Sequence, residues 1–261
     1  MNQKINRLFS LALGISITLI ACNGGGKKEE EAATTDSTMT ATTDTVQQVA
    51  QPETVDAVKA APNLYKILHD TMGIRILETT YKPGDSSALH SHPDYALYVI
   101  SGGTAEFTDK DGKKNAMEMK SGMENIRAGE IHSVKNTGKT TIKVILVEVN
   151  RPMQITSQDA ATDATKVAPA LYKLKKDTLG IRVLEINYKP GQSSAMHSHG
   201  DQALYLTEGG KGEFTGKDGT KNVMEFKKGM TMVAPGDTHS VKNIGTTNLR
   251  AILVEVNRPA K

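Results

Sequence analysis

From Leu64 onward the chain is built of short segments in which apolar residues either alternate with polar ones or run together for a few positions. That period belongs to strands with one or two covered faces. Leu64 to Leu68 and Ile74 to Tyr81 read as strands separated by a turn over Asp70 to Gly73. Pro83-Gly84 breaks the chain, and Ala88 to His92 and Ala96 to Ile100 follow as strands. Glu106 to Thr108 and Asn115 to Met119 flank Asp111-Gly112, a two-residue hairpin signal that Asp218-Gly219 repeats. Met123 to Arg127, His132 to Asn136 and the very apolar Thr141 to Val149 complete the set. Helical periodicity is missing after the first two dozen residues. Many short, evenly spaced strands punctuated by Gly and Asp-Gly turns predict an all-β barrel or sandwich.

The pattern occurs twice. Asp56 to Pro152 reads again as Asp163 to Pro259, without a gap, and about 60 of about 97 paired positions are identical. The expected organisation is residues 61–152 as one domain, 153–167 as a polar linker and 168–261 as a second domain. Each has enough residues for one modest core.

Ahead of the repeats, residues 1–21 read as a signal peptide. Lys4 and Arg7 precede an apolar run from Leu8 to Ala21 that is too short to span a bilayer comfortably. The run ends in Leu19-Ile20-Ala21-Cys22, which resembles the lipobox of bacterial lipoproteins. That resemblance implies cleavage before Cys22, acylation of its thiol, a membrane partner reached through the lipid, and a cell-envelope location. Residues 22–60 read as a disordered tether, polar and nearly free of large apolar residues. Cys22 is the only cysteine, so the processed chain would hold no disulfide and no Cys metal ligand. Loss of Lys4 and Arg7 takes the formal charge from +3 to +1. With no basic stripe and few aromatic residues, nucleic acid is not an expected partner.

The candidate chemistry lies in histidines that recur with the repeat. His90-Ser91-His92 and His197-Ser198-His199 fall on predicted strands, so both imidazoles of each pair share a face. A third histidine follows on another strand, His132 in the first repeat and His239 in the second. Two same-face imidazoles with a third can hold one divalent ion, whereas a lone histidine is usually a packed core residue.

The spacing around these histidines resembles the cupin family. Gly191, His197, His199 and Gly209 follow its first motif, as do Gly84, His90, His92 and Gly102. Gly229, Pro235, Gly236, His239 and Asn243 follow its second, and Gly122, Gly129, His132 and Asn136 fit it with Ala128 where Pro is expected. The resemblance implies a bicupin, two jelly-roll barrels with histidines at each mouth, holding Fe, Mn, Zn or Ni. The family's usual glutamate ligand is missing. Its place falls to Gln202 in the second repeat and Tyr95 in the first. Gln202 can offer a carbonyl oxygen, Tyr95 is a poor ligand unless ionised, and both are candidates for lining a substrate pocket. The second site is therefore expected to bind metal more tightly.

Other paired residues receive plainer readings. Glu106/Glu213 and Glu148/Glu255 are expected on solvated strand faces, and so are Arg75/Arg182. Alternation sends Asp94/Asp201 to the face opposite the candidate ligands. Tyr98/Tyr205 and Phe107/Phe214 are expected in the core, and Met117/Met224 and Met123/Met230 as gap-fillers. Arg151-Pro152 and Arg258-Pro259 are expected to end the last strands. Three functions fit: a metal-dependent enzyme resembling cupin dioxygenases, oxalate decarboxylases or quercetin dioxygenases; an envelope binding module for a small ligand, sugar or metal; and a protein whose histidines are merely packed. Self-association through exposed strands is a further expectation.

Overall fold

A computed structural model describes residues 54–260. Cys22, the signal peptide and most of the tether lie outside the described residues. The first repeat opens with α1 (Ala57–Ala60), then β1 (Tyr65–Thr71), β2 (Ile74–Tyr81), β3 (His90–His92), β4 (Asp94–Ser101) and β5 (Gly103–Asp109). It continues through β6 (Lys114–Met119), β7 (Glu124–Arg127), β8 (Glu130–Asn136) and β9 (Ile142–Val149). The second repeat copies it: α2 (Ala164–Val167), β10 (Tyr172–Thr178), β11 (Ile181–Tyr188), β12 (His197–Ser198) and β13 (Asp201–Glu208). Then come β14 (Gly210–Gly216), β15 (Lys221–Phe226), β16 (Thr231–Ala234), β17 (Thr238–Asn243) and β18 (Leu249–Val256).

Each repeat folds into two facing antiparallel sheets, the jelly-roll arrangement expected of the pattern. In the first barrel the sheets run β1-β2-β9-β4-β7 and β3-β8-β5-β6; in the second, β10-β11-β18-β13-β16 and β12-β17-β14-β15. Every expected strand is present within a few residues of its expected limits. The turn between β1 and β2 is tighter than expected, with only Met72 and Gly73 outside the strands, both at positive φ (56° and 68°). A left-handed Met is normally disfavoured. Here its carbonyl accepts a hydrogen bond from Arg151 Nε at 2.8 Å, and Leu179 is held in the same way by Arg258.

The apolar run of β9 has a direct cause. Ile142, Val144 and Leu146 face their own barrel's interior, while Ile145, Val147 and Val149 join a core shared with the second barrel. β18 divides likewise: Leu249, Ala251 and Leu253 face inward, and Ile252, Val254 and Val256 outward. The two five-stranded sheets therefore pack face to face, and the barrels share a seam. Tyr98 and Tyr205 belong to this seam, with ring centroids 5.8 Å apart. A strand covered on both faces cannot alternate, which is why these segments read as continuous apolar runs.

The seam corrects the reading of Arg151 and Arg258 as simple strand terminators. Both are buried, and each crosses to the opposite barrel: Arg151 to Asp201 at 2.8 Å, Arg258 to Asp94 at 2.6 Å. Arg151 Nη1 also donates to the Arg258 carbonyl at 2.7 Å. Asp94 and Asp201 thus stand on the outer face, as alternation requires, and that face is an interface. Their second oxygens accept the Gly129 and Gly236 amides.

Ordered structure also begins earlier than the tether and linker boundaries placed it. α1 lies within 22–60, and α2 within 153–167. Each is a single turn capped by an aspartate, Asp56 or Asp163, with a fully packed alanine behind it. No helix among the described residues is long and apolar enough to cross a membrane.

Removing either cross-barrel arginine strands a carboxylate at the seam. Arg151→Ala is expected to cost about 3 kcal/mol of unfolding free energy, seen as a lower urea midpoint, and Arg258→Ala about the same. An unchanged midpoint would contradict the role assigned to the pair.

Candidate metal centre

The strand register builds each histidine cluster. β3 pairs antiparallel with β8 so that His90 stands directly opposite His132. His92, two positions on, shares the face of His90. In the second barrel His197 pairs opposite His239, and His199 follows. The ligand atoms of His90, His92 and His132 all lie within 4.8 Å of one another, and so do those of His197, His199 and His239. All six residues are buried. The seventh histidine, His69, stands apart, with Nε2 on Thr231 across the seam.

What orients the rings is a set of acceptors on their Nδ1 atoms. His90 Nδ1 donates to the Ala88 carbonyl at 2.7 Å, and His197 Nδ1 to that of Ala195 at 2.8 Å. His92 Nδ1 donates to Glu148 at 2.6 Å, and His199 Nδ1 to Glu255 at 2.7 Å. His132 Nδ1 lies 3.3 Å from Glu130, and His239 Nδ1 donates to Asp237 at 2.8 Å. An imidazole that donates through Nδ1 keeps its lone pair on Nε2, the tautomer a metal requires. Among the described residues, His92, His132, His199 and His239 form no hydrogen bond through Nε2. His90 and His197 differ: their Nε2 atoms accept from the Tyr65 and Tyr172 hydroxyls at 2.9 Å. Ligation at these two atoms exchanges that hydrogen bond for a bond to the ion.

Glu148 and Glu255 overturn the expectation of solvated strand faces. Both are fully buried, and Arg182 is buried with them. Arg75 Nε donates to Glu148 at 2.6 Å, and its Nη2 reaches Asp56 at 2.6 Å. Arg182 Nη1 links Glu255 at 2.7 Å to Asp163 at 2.9 Å. Each repeat therefore carries a chain of contacts, helix-cap Asp to Arg to Glu to His. Sequence parity could have found it. Glu148 follows Ile142, Val144 and Leu146 at even spacing, and Arg75 precedes Leu77 likewise, so both must point inward. Glu106 and Glu213 remain on a partly solvated face, paired to Lys114 and Lys221. Asn136, matched in the second motif, is a buried clamp: its amide donates to Tyr81 and Thr140 carbonyls.

The two replacements for the missing glutamate behave differently. Tyr95 is buried beside His92, and its hydroxyl donates to Glu130, which Arg127 also holds at 2.7 Å. Burial and the Glu130 charge push the Tyr95 phenol far above its ordinary pKa, so it stays protonated and is no anionic ligand. Burial alone would raise the Glu130 carboxyl, but hydrogen bonds from His132, Arg127 and Tyr95 prevail and hold it near 2. Gln202 lies at the mouth of the second barrel, and among the described residues its side chain has one hydrogen bond, a long 3.5 Å contact to Asp237. Burial would likewise raise the Asp237 carboxyl, yet His239 holds it below the usual range.

Next to each triad lies a cavity. The one in the second barrel measures about 180 Å³ and is lined by His199, His239, Gln202 and Asp237 at its polar end. The one in the first barrel measures about 50 Å³ and is bordered by His92, His132 and Tyr95.

Burial, aided by the neighbouring imidazoles, lowers the pKa of His90 and of His197 from 6.5 to about 4. Between those values the unfolded chain binds more protons than the folded one, so stability is lost as pH drops from 6.5 toward 4. The loss should approach about 3 kcal/mol per histidine by pH 4, with no contribution above pH 6.5. Thermal melts across this range, compared with a His90→Gln/His197→Gln variant, should show a steeper decline in the wild type; parallel curves would contradict the assignment.

Residues 184–255 match the family model described as Cupin domain. No curated protein matches the chain. Among solved structures, AerE from Microcystis aeruginosa superposes with a TM-score of 0.54 at 14% identity, covering 74% of this chain and 91% of its own. A Mn(II)-containing oxalate decarboxylase from Bacillus subtilis superposes with a TM-score of 0.51 at 14% identity, covering 73% and 70%. At such identity these likenesses speak to fold alone. The family match thus makes the second repeat similar to a cupin domain, and the first repeat shares its strand order and its histidine triad.

Proposed function

We propose that the protein is a lipid-anchored bicupin of the cell envelope that holds a divalent ion in each barrel and handles a small organic molecule at the second. The observation that carries the metal reading is the shared Nδ1 anchoring of the triads, which fixes five of the six imidazoles in one tautomer by hydrogen bonds and sets the sixth, His132, with Nδ1 3.3 Å from Glu130. A packed histidine needs no such agreement. The donor set is three neutral nitrogens, which suits Fe, Ni or Zn and serves Mn less well. Anchoring through Cys22 and the envelope location rest on the sequence, as does a membrane partner.

His197, His199 and His239 would hold the ion, leaving positions open toward the cavity. When bound, such an ion supplies Lewis-acid or redox chemistry of the kind dioxygenases and decarboxylases use. The chain's own contribution is to exclude water with an apolar cavity wall, to orient the ligands through Glu255 and Asp237, and to present Gln202 at the mouth. A metal-dependent oxidoreductase or decarboxylase is the reading this arrangement favours. One observation favours a binding module instead: the one acid lining the cavity among the described residues, Asp237, is already committed to His239.

Elemental analysis of protein from the native envelope should find Fe, Mn, Ni or Zn in stoichiometric amount. His197→Ala or His239→Ala should remove the ion from the second barrel, and Glu255→Gln should weaken its affinity about 10-fold or more. Metal-free protein whose melting temperature ignores chelators would sink the reading. Metal without O₂ uptake or turnover of any candidate substrate would select the binding module.

A further inference from the structure

The two barrels present the same triad to unequal spaces, about 180 Å³ against about 50 Å³. The difference traces to particular substitutions between otherwise similar repeats. Tyr95 fills the position of Gln202 and ties its hydroxyl to Glu130, with Arg127 behind. The second barrel has Ala234 in place of Arg127 and the shorter Asp237 in place of Glu130. Ala251 stands where Val144 is, and Gly212 where Ala105 is, so the inner wall recedes as well. The first barrel is narrowed by a tyrosine latch, and the second is roomier.

The roomier cavity has a definite chemistry. Its wall is formed by Leu204, Phe214, Met224, Phe226, Met232 and Leu253, among others, and no lysine or arginine among the described residues lines it. The Tyr172 and Tyr188 hydroxyls are spent on each other and on His197. A sugar buried there would leave hydroxyls unpaired, at a cost of about 1–3 kcal/mol each. A dicarboxylate would bring a second charge with no cation to meet it, close to the Asp237 carboxylate. A single anionic oxygen is different, because a bound ion would supply the one positive charge and the Gln202 amide, held only by a 3.5 Å contact, is free to donate. An apolar cavity of about 150 Å³ accommodates benzene, so about 180 Å³ suits one ring with a substituent.

The geometry points to a ligand of one class for the second barrel: a small molecule with an apolar body about the size of one aromatic ring and a single anionic oxygen head, such as an aromatic carboxylate or phenolate. The Tyr95/Gln202 position sets which barrel accepts it. This assignment rests on the metal ion proposed for His197, His199 and His239, and the test separates the two claims.

Full-length processed protein, its metal content measured first, is titrated calorimetrically with benzoate, oxalate and glucose. Benzoate should bind once per chain and at least about tenfold more tightly than either competitor. Gln202→Tyr, which copies the first barrel's narrowing, should weaken benzoate at least about tenfold, compared at equal metal occupancy of the two proteins. Ala251→Val, a milder copy of the first barrel's wall, should weaken it in the same direction. Tyr95→Gln combined with Val144→Ala should widen the first barrel and bring benzoate to two per chain. Metal-loaded protein that fails to prefer benzoate, or a Gln202→Tyr variant that binds it like the wild type, overturns the assignment and leaves the metal centre standing. Protein without metal overturns the metal centre itself.

Discussion

The architecture of both centres depends on one interaction, the buried glutamate that takes the Nδ1 proton of the middle histidine. Glu148 and Glu255 are fully enclosed, where an uncompensated carboxylate would cost several kcal/mol. Compensation arrives from two directions at once: Arg75 or Arg182 supplies charge, and His92 or His199 supplies a donor. The arginine is shared in turn with the aspartate that caps the first helical turn of the repeat. Removing any member leaves a neighbour with one partner fewer. That mutual dependence locks the imidazole tautomer, fixes where the ordered repeat begins, and ties the centre to the strand register around it.

A second constraint is the seam between barrels. β9 and β18 bury both faces, one on their own barrel and one on the neighbour, so the five-stranded sheets meet face to face and only the four-stranded sheets turn an outer face to solvent. Polar pairs at this seam are reciprocal, Arg151 with Asp201 and Arg258 with Asp94. The same aspartates accept amides of Gly129 and Gly236, in the loops just before His132 and His239. Each barrel's last arginine thus reaches the loop that carries the other barrel's third histidine. Duplication has preserved this exchange while allowing the cavities to diverge, as Tyr95 and Gln202 show.

Much of this was legible in the sequence, for physical reasons. Strands announced themselves through alternation and turn chemistry, and the histidines through a spacing that only makes sense on facing strands. Residue type alone misplaces Glu148, Glu255, Arg75 and Arg182 on solvated faces, because strand parity overrides it. A charged residue at an inward position of a strand is buried whatever its usual habit, and here partners on β2, β3 and β9, or their copies, make that burial affordable. The roles of Arg151 and Arg258 were hidden for another reason. They depend on how two barrels pack, and no local pattern encodes that except the unbroken apolar run of β9 and β18. The helical turns α1 and α2 are too short for periodicity to register. Cavity size depended on a handful of substitutions whose joint effect needs coordinates.

The account turns on the three Nε2 atoms of each triad facing one ion while their Nδ1 atoms stay anchored. Diffraction from crystals of metal-loaded protein, recorded at the absorption edge of that metal, tests this directly. The account predicts an anomalous peak about 2.1 Å from Nε2 of His197, His199 and His239, with His199 Nδ1 still on Glu255. A peak elsewhere in the chain, or one of these imidazoles turned from the other two with its Nδ1 released, would contradict it.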